Sequence, residues 1–172
     1  WIVPTSITDN FECVCFHMTD VPFGRGGSPL QNLISRGYSK TVLTALKMDK
    51  GMDSGPVYMK RPLDLSGPAS EIYMRAAKLS WTMIEDIILT NPIPQEQKGP
   101  VVEFRRRKPE ESKIPPSLDP NQIFDFIRML DADGYPKAFM IRDNYRLEFD
   151  SACKIDGEVR ASVTIKIEEK KV

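Results

Sequence analysis

The only histidine of this 172-residue chain, His17, stands at the end of an apolar run and directly before a glycine-rich loop. The run "FECVCFH" (residues 11–17) lacks Gly and Pro, which is typical of a buried strand. Asp53 lies in a second loop, "DKGMDSG" (residues 49–55), after another apolar run. A carboxylate near an imidazole stabilises the imidazolium and makes the histidine a better proton acceptor. The pair is a candidate for acid–base chemistry, such as transfer of an acyl group to an amine.

Strands must carry both side chains to one place. The segments 41–48 and 56–65 have the composition of strands, and the loop with Asp53 separates them. In open α/β sheets, ligands bind outside the carboxyl ends of the strands. Because His17 and Asp53 both follow predicted strands, we expect their side chains to reach one crevice at that edge.

Two helices are predicted around these strands. Ser28 can cap a short helix whose first position is Pro29 and which Gly37 can terminate. The longest helix is predicted over residues 68–90, where apolar side chains recur at helical spacing: Ile72, Ala76, Leu79, Met83 and Ile87. The chain thus alternates strands and helices, which predicts an α/β domain.

A proline-rich and charged stretch interrupts this pattern. Residues 95–120 hold dense charge, including "FRRRKP", and predict an extended segment with a short strand at 101–104. A helix beginning at Asp119 and three strands in an antiparallel meander are predicted beyond it. We therefore divide the chain into a domain at 1–95, a linker at 96–118 and a small α+β region at 119–172.

Composition limits the function classes. The 24 basic residues balance the 24 acidic ones, so the whole molecule presents no net positive field to a phosphate backbone. Three cysteines at irregular spacing do not form a disulfide framework, and no apolar run approaches the roughly 18 residues of a membrane span. We expect a soluble, cytoplasmic protein. The opening residue is Trp1, without a signal-peptide pattern, and we expect a fragment.

Metal and nucleotide sites are the main alternatives at this loop. Cys13, Cys15 and His17 share one face of a strand, but neighbours two apart lie about 6.5 Å from each other, which is too wide for one zinc ion. The glycines of the loop match neither the dinucleotide fingerprint nor the phosphate loop. We predict no metal, and a loop whose glycines allow close backbone approach. "FRRRKP" is interpreted either as a phosphate-binding patch or as a solvated charge run.

Two segments, "FHMTDVPFGRGGSPLQNLISRG" and "LKMDKGMDSGPVYMKRPLDLSG", together resemble the folate-dependent formyltransferases. That family includes methionyl-tRNA formyltransferase and the sugar-nucleotide amine formyltransferases. Its pattern of a histidine, a small hydroxyl residue, two prolines and an Arg-Gly segment is matched by His17, Thr19, Pro22, Arg25, Gly26 and Pro29. Its Asp-x-Gly loop is matched by Asp53 and Gly55. The resemblance implies the second half of a Rossmann-like sheet without the N-terminal part of the domain, followed by a small antiparallel unit.

The resemblance also implies site residues. His17 and Asp53 are implied as catalytic, with Thr19, and with Cys15 at the position where the family has asparagine. Met52, Asp53 and Gly55 are implied to bind 10-formyltetrahydrofolate as co-substrate, and Arg25 and Gly26 to bind the amine substrate. Asparagine can donate to the oxyanion of the tetrahedral intermediate, and cysteine is a weaker donor.

The implied function is transfer of a formyl group from 10-formyltetrahydrofolate to a primary amine. We favour an amino sugar nucleotide as the acceptor, because the balanced charge offers little to a tRNA backbone. Three alternatives stay open: methionyl-tRNA as acceptor, hydrolysis of the formyl donor, and a non-catalytic folate-binding or scaffold fragment. An unpaired sheet edge would favour a homo-oligomer.

Overall fold

The computed structural model describes residues 3–167. Trp1 and the end of the last predicted strand, in residues 168–172, lie outside this part. The chain forms two compact units. The first contains the residues up to Pro29, Ser39–Leu65 and Tyr73–Arg106, and the second contains Leu30–Tyr38, Ser66–Ile72 and the residues from Arg107 onward.

The sheet of the first unit has the order β1-β3-β4, formed by β1 (Val14–His17), β3 (Lys40–Lys47) and β4 (Val57–Asp64). Both pairings are antiparallel, and His17 lies opposite Thr44. The predicted strands at 41–48 and 56–65 are confirmed. The run 11–17 becomes a strand only from Val14, and Phe11 is exposed.

The prediction that His17 and Asp53 follow strands ending at the same sheet edge is wrong, because β1 and β3 run in opposite directions. Their carboxyl ends lie at opposite ends of the ladder, where Val14 faces Lys47 and His17 faces Thr44. The loop after β3 must therefore fold back along β1 to approach His17. The glycines and the hydrogen bonds of that loop allow it to fold back in this way.

A second, two-stranded sheet supports the glycine-rich loop. β2 (Phe23–Gly26) pairs in parallel with β5 (Val102–Phe104), the short strand predicted within the proline-rich stretch. The Phe23 and Phe104 rings meet edge to face with centroids 5.3 Å apart. A 3-10 helix follows at Pro109–Ser112. The predicted division at 95 and 119 stays a prediction.

The predicted helices from Pro29 and over residues 68–90 are confirmed, and a short helix without a side-chain cap, which was not predicted, precedes them. α1 spans Thr5–Thr8, α2 Pro29–Ile34 and α3 Ala69–Thr90, and α3 ends at Asn91, whose φ is +43°. Asparagine tolerates this left-handed conformation, which stops the helix before Pro92. The buried positions of α3 keep the predicted spacing: Ala69, Ile72, Ala76 and Met83.

In the second unit, α4 (Pro120–Arg128) precedes the meander β6 (Ala138–Arg142), β7 (Tyr145–Ile155) and β8 (Glu158–Ile167). The side chain of Asp119 accepts from the backbone N–H of Gln122, which completes the predicted capping box. The turn between β6 and β7 contains Asp143 at φ +55°. The predicted helix and antiparallel meander are confirmed. Buried residues here include Ile114, Ile127, Met129, Leu130, Ala138 and Phe139.

Within residues 3–167, none of the helices combines the length and the apolar character that crossing a membrane requires.

Candidate active site

The imidazole of His17 is held in one orientation by the backbone. His17 is 8% exposed, and its Nε2 lies 2.7 Å from the carbonyl oxygen of Gly24. A carbonyl oxygen only accepts, so Nε2 must carry the hydrogen. In the neutral ring, the lone pair is then on Nδ1.

Asp53 faces that second nitrogen. Its Oδ2 lies 3.6 Å from His17 Nδ1, too far for a hydrogen bond and close enough to attract the ring once Nδ1 is protonated. The same oxygen accepts a hydrogen bond of 2.8 Å from the backbone N–H of Gly26. The structure therefore brings the two predicted residues together, with the carboxylate next to the nitrogen that can take up a proton.

The Asp53 loop is folded back tightly upon β3. A Cβ at Gly55 would lie 1.9 Å from the carbonyl oxygen of Lys47, so only glycine fits at this close approach. Asp49 Oδ1 accepts from the Gly51 backbone N–H at 2.9 Å and from Ser54 Oγ at 2.6 Å. Asp53 itself has φ +50°, a strained conformation for a residue other than glycine. These contacts place Asp53 next to His17, although the two residues follow strands that end at opposite ends of the ladder.

The residues implied to bind the formyl donor all lie in this loop. Met52 is 67% exposed, whereas Gly55 is buried and the Asp53 side chain is 16% exposed. An exposed thioether beside the carboxylate offers an apolar surface next to the site. The assignment of Met52, Asp53 and Gly55 to the co-substrate stays a prediction.

Thr19 is fully buried, and its hydroxyl is occupied within the protein. Oγ1 of Thr19 donates to the Gly24 carbonyl at 3.2 Å, so this carbonyl accepts from both Thr19 and His17. The carbonyl of Thr19 in turn accepts from Thr44 Oγ1 at 2.7 Å. In this arrangement Thr19 fixes the acceptor that orients His17. Its catalytic role stays a prediction.

The thiol of Cys15 stays protonated at neutral pH. Cys15 lies two residues before His17 on β1. Burial, and then the negative charges of Asp53 and Asp49, raise the pKa of Cys15 from its ordinary 9.0 to about 11. A neutral thiol is a poor nucleophile, so this cysteine is a weak donor rather than a reactive group.

We expect Cys15 to resist alkylation at a pH where Cys153, an exposed cysteine, reacts. A pKa raised by about two units reduces the thiolate fraction about 50-fold at pH 9 and about 90-fold at pH 8. The raised pKa also means that Cys15 contributes to stability below pH 9 and that this contribution is lost as the pH rises toward 11. Iodoacetamide labelling at pH 9, followed by peptide mass spectrometry, checks this. Equal labelling rates at the two cysteines would contradict it.

The guanidinium of Arg25 is held by the side chain of Gln97. Gln97 Oε1 accepts from Arg25 Nε at 3.1 Å and from Arg25 Nη2 at 2.8 Å. Gln97 lies in the stretch predicted as a linker, and no motif marks it. The assignment of Arg25 and Gly26 to the amine substrate stays a prediction.

The glycine-rich loop makes its close approach to another strand. A Cβ at Gly26, where φ is +102°, would lie 2.5 Å from the carbonyl oxygen of Phe104 in β5. The next backbone N–H, that of Gly27, donates to the same carbonyl at 2.9 Å. Glycine at 26 therefore serves the packing of β2 on β5 and leaves its N–H to Asp53.

In the described part of the chain, no group of three or more His, Cys, Asp or Glu side chains is placed so that it could hold a metal ion. In "FRRRKP", Phe104 is buried, Arg105 and Arg106 are exposed, and the guanidinium of Arg107 lies 5.5 Å from the centroid of the Phe126 ring.

Comparison with known proteins adds family information. The sequence profile of the methionyl-tRNA formyltransferase C-terminal domain matches residues 109–166. The methionyl-tRNA formyltransferase of Mesoplasma florum is 26% identical over 176 residues, covering 97% of this chain and 56% of the relative. Across the curated relatives that rank first, the chain spans from 40% to 56% of their length.

Solved structures share the fold. The methionyl-tRNA formyltransferase from Clostridium thermocellum is 52% identical, with a TM-score of 0.95 over 97% of this chain and 74% of that one. The sugar 3N-formyltransferase WlaRD, solved in the presence of dTDP and 5-N-formyl-THF, is 16% identical, with a TM-score of 0.59 over 92% of this chain and 66% of that one. The predicted α/β fold with a small antiparallel C-terminal unit is confirmed. The resemblance read from the two loop motifs is confirmed as well, and the chain belongs to the methionyl-tRNA formyltransferase family of folate-dependent formyltransferases.

Proposed function

We propose that this protein transfers a formyl group from 10-formyltetrahydrofolate to the amine of methionyl-tRNA. The observation that carries the proposal is the placement of Asp53 Oδ2 3.6 Å from His17 Nδ1, while Nε2 is bonded to the Gly24 carbonyl. The pair offers one basic nitrogen with an anion beside it, which suits removal of a proton from an attacking amine.

The co-substrate supplies the formyl carbon. A new C–N bond forms between that carbon and the amine, and the bond to the folate nitrogen breaks. The amine must lose a proton during this exchange, and His17 Nδ1 accepts it. Asp53 then faces a positively charged ring, and the attraction stabilises the imidazolium. The proton passes finally to the departing folate nitrogen, which restores neutral His17.

The surroundings of His17 orient its ring for this proton transfer. The Gly24 carbonyl, with Thr19 as its second donor, fixes the ring and its tautomer. Cys15 stands beside the pair as a neutral thiol and provides a weak donor where the family has an asparagine amide. We assign to Cys15 a small contribution to oxyanion stabilisation.

The residues of the Asp53 loop fit the co-substrate by their chemistry. Met52 presents an exposed apolar side chain of the polarisable kind that packs on aromatic rings. Gly55 lets the loop pack closely on the Lys47 carbonyl and so keeps Met52 and Asp53 in place. We propose that Met52, Asp53 and Gly55 contact the folate and that Arg25 and Gly26 lie on the amine side.

For the acceptor, we prefer methionyl-tRNA. The amino sugar nucleotide was favoured in the sequence analysis because the chain has equal numbers of basic and acidic residues. The 52% identity to a methionyl-tRNA formyltransferase supports the tRNA acceptor, whereas the likeness to a sugar formyltransferase is at 16% identity. Neutral net charge is compatible with tRNA if basic residues cluster locally. Arg105, Arg106 and Lys108 are exposed in one short segment and can contact phosphates.

Formyl transfer to a panel of acceptors tests the proposal. The native protein is incubated with labelled 10-formyltetrahydrofolate and methionyl-tRNA, amino-sugar nucleotides, or water alone. We expect formyl-methionyl-tRNA at a rate at least about tenfold above any other product, the size of a modest pocket preference. Formylated sugar as the main product would restore the amino sugar acceptor, and formate release without acceptor would identify a hydrolase. Folate binding without turnover would identify a non-catalytic role.

We propose a cytoplasmic location, because Cys13, Cys15 and Cys153 are all free thiols and such thiols persist in reducing compartments. A homo-oligomer stays a prediction.

A further inference from the structure

We propose that Gln97 is the positioning residue that holds the Asp53 loop against the glycine-rich loop and so sets the distance from Asp53 to His17. The expected effects on catalysis rest on the proposed function, whereas the positioning of the loop rests on the contacts alone. Gln97 belongs to neither loop and comes from the segment that leads into β5.

The amide of Gln97 has its oxygen and both hydrogens engaged. Its Nε2 donates to the Asp53 carbonyl at 2.9 Å and to the Gly55 carbonyl at 2.8 Å. Its Oε1 accepts from Nε and Nη2 of Arg25. The opposite orientation of the amide would place NH2 against a guanidinium and oxygen against two carbonyls, so the contacts allow only this one.

These bonds hold a loop whose backbone is in a strained conformation. Asp53 has φ +50°, and such a conformation persists when the surroundings impose it. Gln97 holds the backbone on both sides of Ser54, and the Gly26 N–H holds the Asp53 carboxylate itself. Because Gly26 follows Arg25, the amide and the carboxylate bind the same short strand, β2. The Asp53 loop is thereby fixed to β2 at two adjacent residues.

Two substitutions separate the contacts of Gln97. Gln97→Leu removes the bonds to Arg25 and to the loop. Gln97→Glu keeps an acceptor for Arg25 but cannot donate to the two carbonyls, and its charge repels them. If Gln97 acts through Asp53, both variants should lower kcat about 10- to 100-fold, since a displacement near 1 Å can cost that much. In Gln97→Glu, which keeps the acceptor for Arg25, the KM for methionyl-tRNA should change less than about threefold.

A double-mutant cycle shows whether the effect passes through the Asp53 carboxylate. In an Asp53→Asn background, Gln97→Glu should lower kcat less than about threefold, because the charge whose position Gln97 sets is gone. A general loss of packing would instead reduce kcat by the same factor in both backgrounds. Gln95→Glu and Gln95→Leu are the matched controls, since the Gln95 side chain donates to the carbonyl of Ile93 and, among the described residues, has no hydrogen bond to either loop.

Amide hydrogen exchange gives a readout that needs no turnover. The Gly26 N–H is bonded to Asp53 Oδ2, so its exchange should speed up at least about tenfold in both Gln97 variants and not in the Gln95 variants. Faster exchange in a protein without formyl transfer would support the positioning role and overturn only the proposed function. Unchanged Gly26 exchange, or full activity in Gln97→Glu, would overturn the positioning role.

Discussion

Replacing His17 by glutamine should lower kcat for formyl transfer about 10²- to 10⁴-fold, the range expected when a general base is lost. Glutamine can still donate to the Gly24 carbonyl, which His17 Nε2 contacts at 2.7 Å, but it has no basic nitrogen at the position of Nδ1. The KM for either substrate should change little, because the proton acceptor acts during the reaction rather than in binding. Steady-state kinetics with methionyl-tRNA measure both constants.

His17→Ala provides the control for folding. It removes both the base and the donor to a buried carbonyl, so it should unfold at a lower temperature than His17→Gln while losing kcat to a similar extent. If His17→Gln kept kcat within about fivefold of the wild type, His17 would not be the proton acceptor.

Replacing Asp53 by asparagine should lower kcat about 10²- to 10³-fold. The carboxylate lies 3.6 Å from Nδ1, and a unit charge at this distance in a site near the protein surface is worth a few kcal/mol to the imidazolium. Asparagine tolerates a positive φ and can still accept from the Gly26 N–H, so the loop should keep its shape. Rapid-quench measurement of a single turnover follows the chemical step directly.

Asp49→Asn is the matched control for this charge. Asp49 lies in the same loop and is exposed, and asparagine can still accept from Gly51 and Ser54. We expect a loss of less than about fivefold, because this carboxylate has no ion pair or hydrogen bond with His17. If both variants lost activity equally, the effect would come from loop structure rather than from the charge beside the imidazole.

Much of the fold follows from local sequence signals. Asp119, Pro120 and Gln122 set the start of α4, and the alternation after Lys137 gives the meander of β6 to β8. The strand that ends at His17 begins at Val14, three residues after the start of the apolar run, and Phe11 at the start of that run is exposed. The parallel pairing of β2 with β5 could not be predicted, because it joins strands about 80 residues apart, each only three or four residues long.

The sequence predicts which residues belong to the candidate site but does not predict how they come together. Residue type and motif indicate His17 and Asp53. The strands before them do not end at the same edge of the sheet, as the prediction assumed. The loop folds back on β3 partly because Gly55 packs against the Lys47 carbonyl, and the Asp-x-Gly motif does not specify this contact. Gln97 was missed for a similar reason, since an isolated glutamine in a polar stretch carries no periodicity or motif.

The central claim is that Nδ1 of His17 is the basic nitrogen and that Nε2 is committed to the Gly24 carbonyl. His17 is the only histidine of the chain, so a long-range ¹H–¹⁵N NMR spectrum shows two imidazole nitrogens without assignment ambiguity. At a pH where the ring is neutral, we expect Nε2 to have the signal of a protonated nitrogen and Nδ1 that of an unprotonated one. A neutral ring with its hydrogen on Nδ1 would contradict the account.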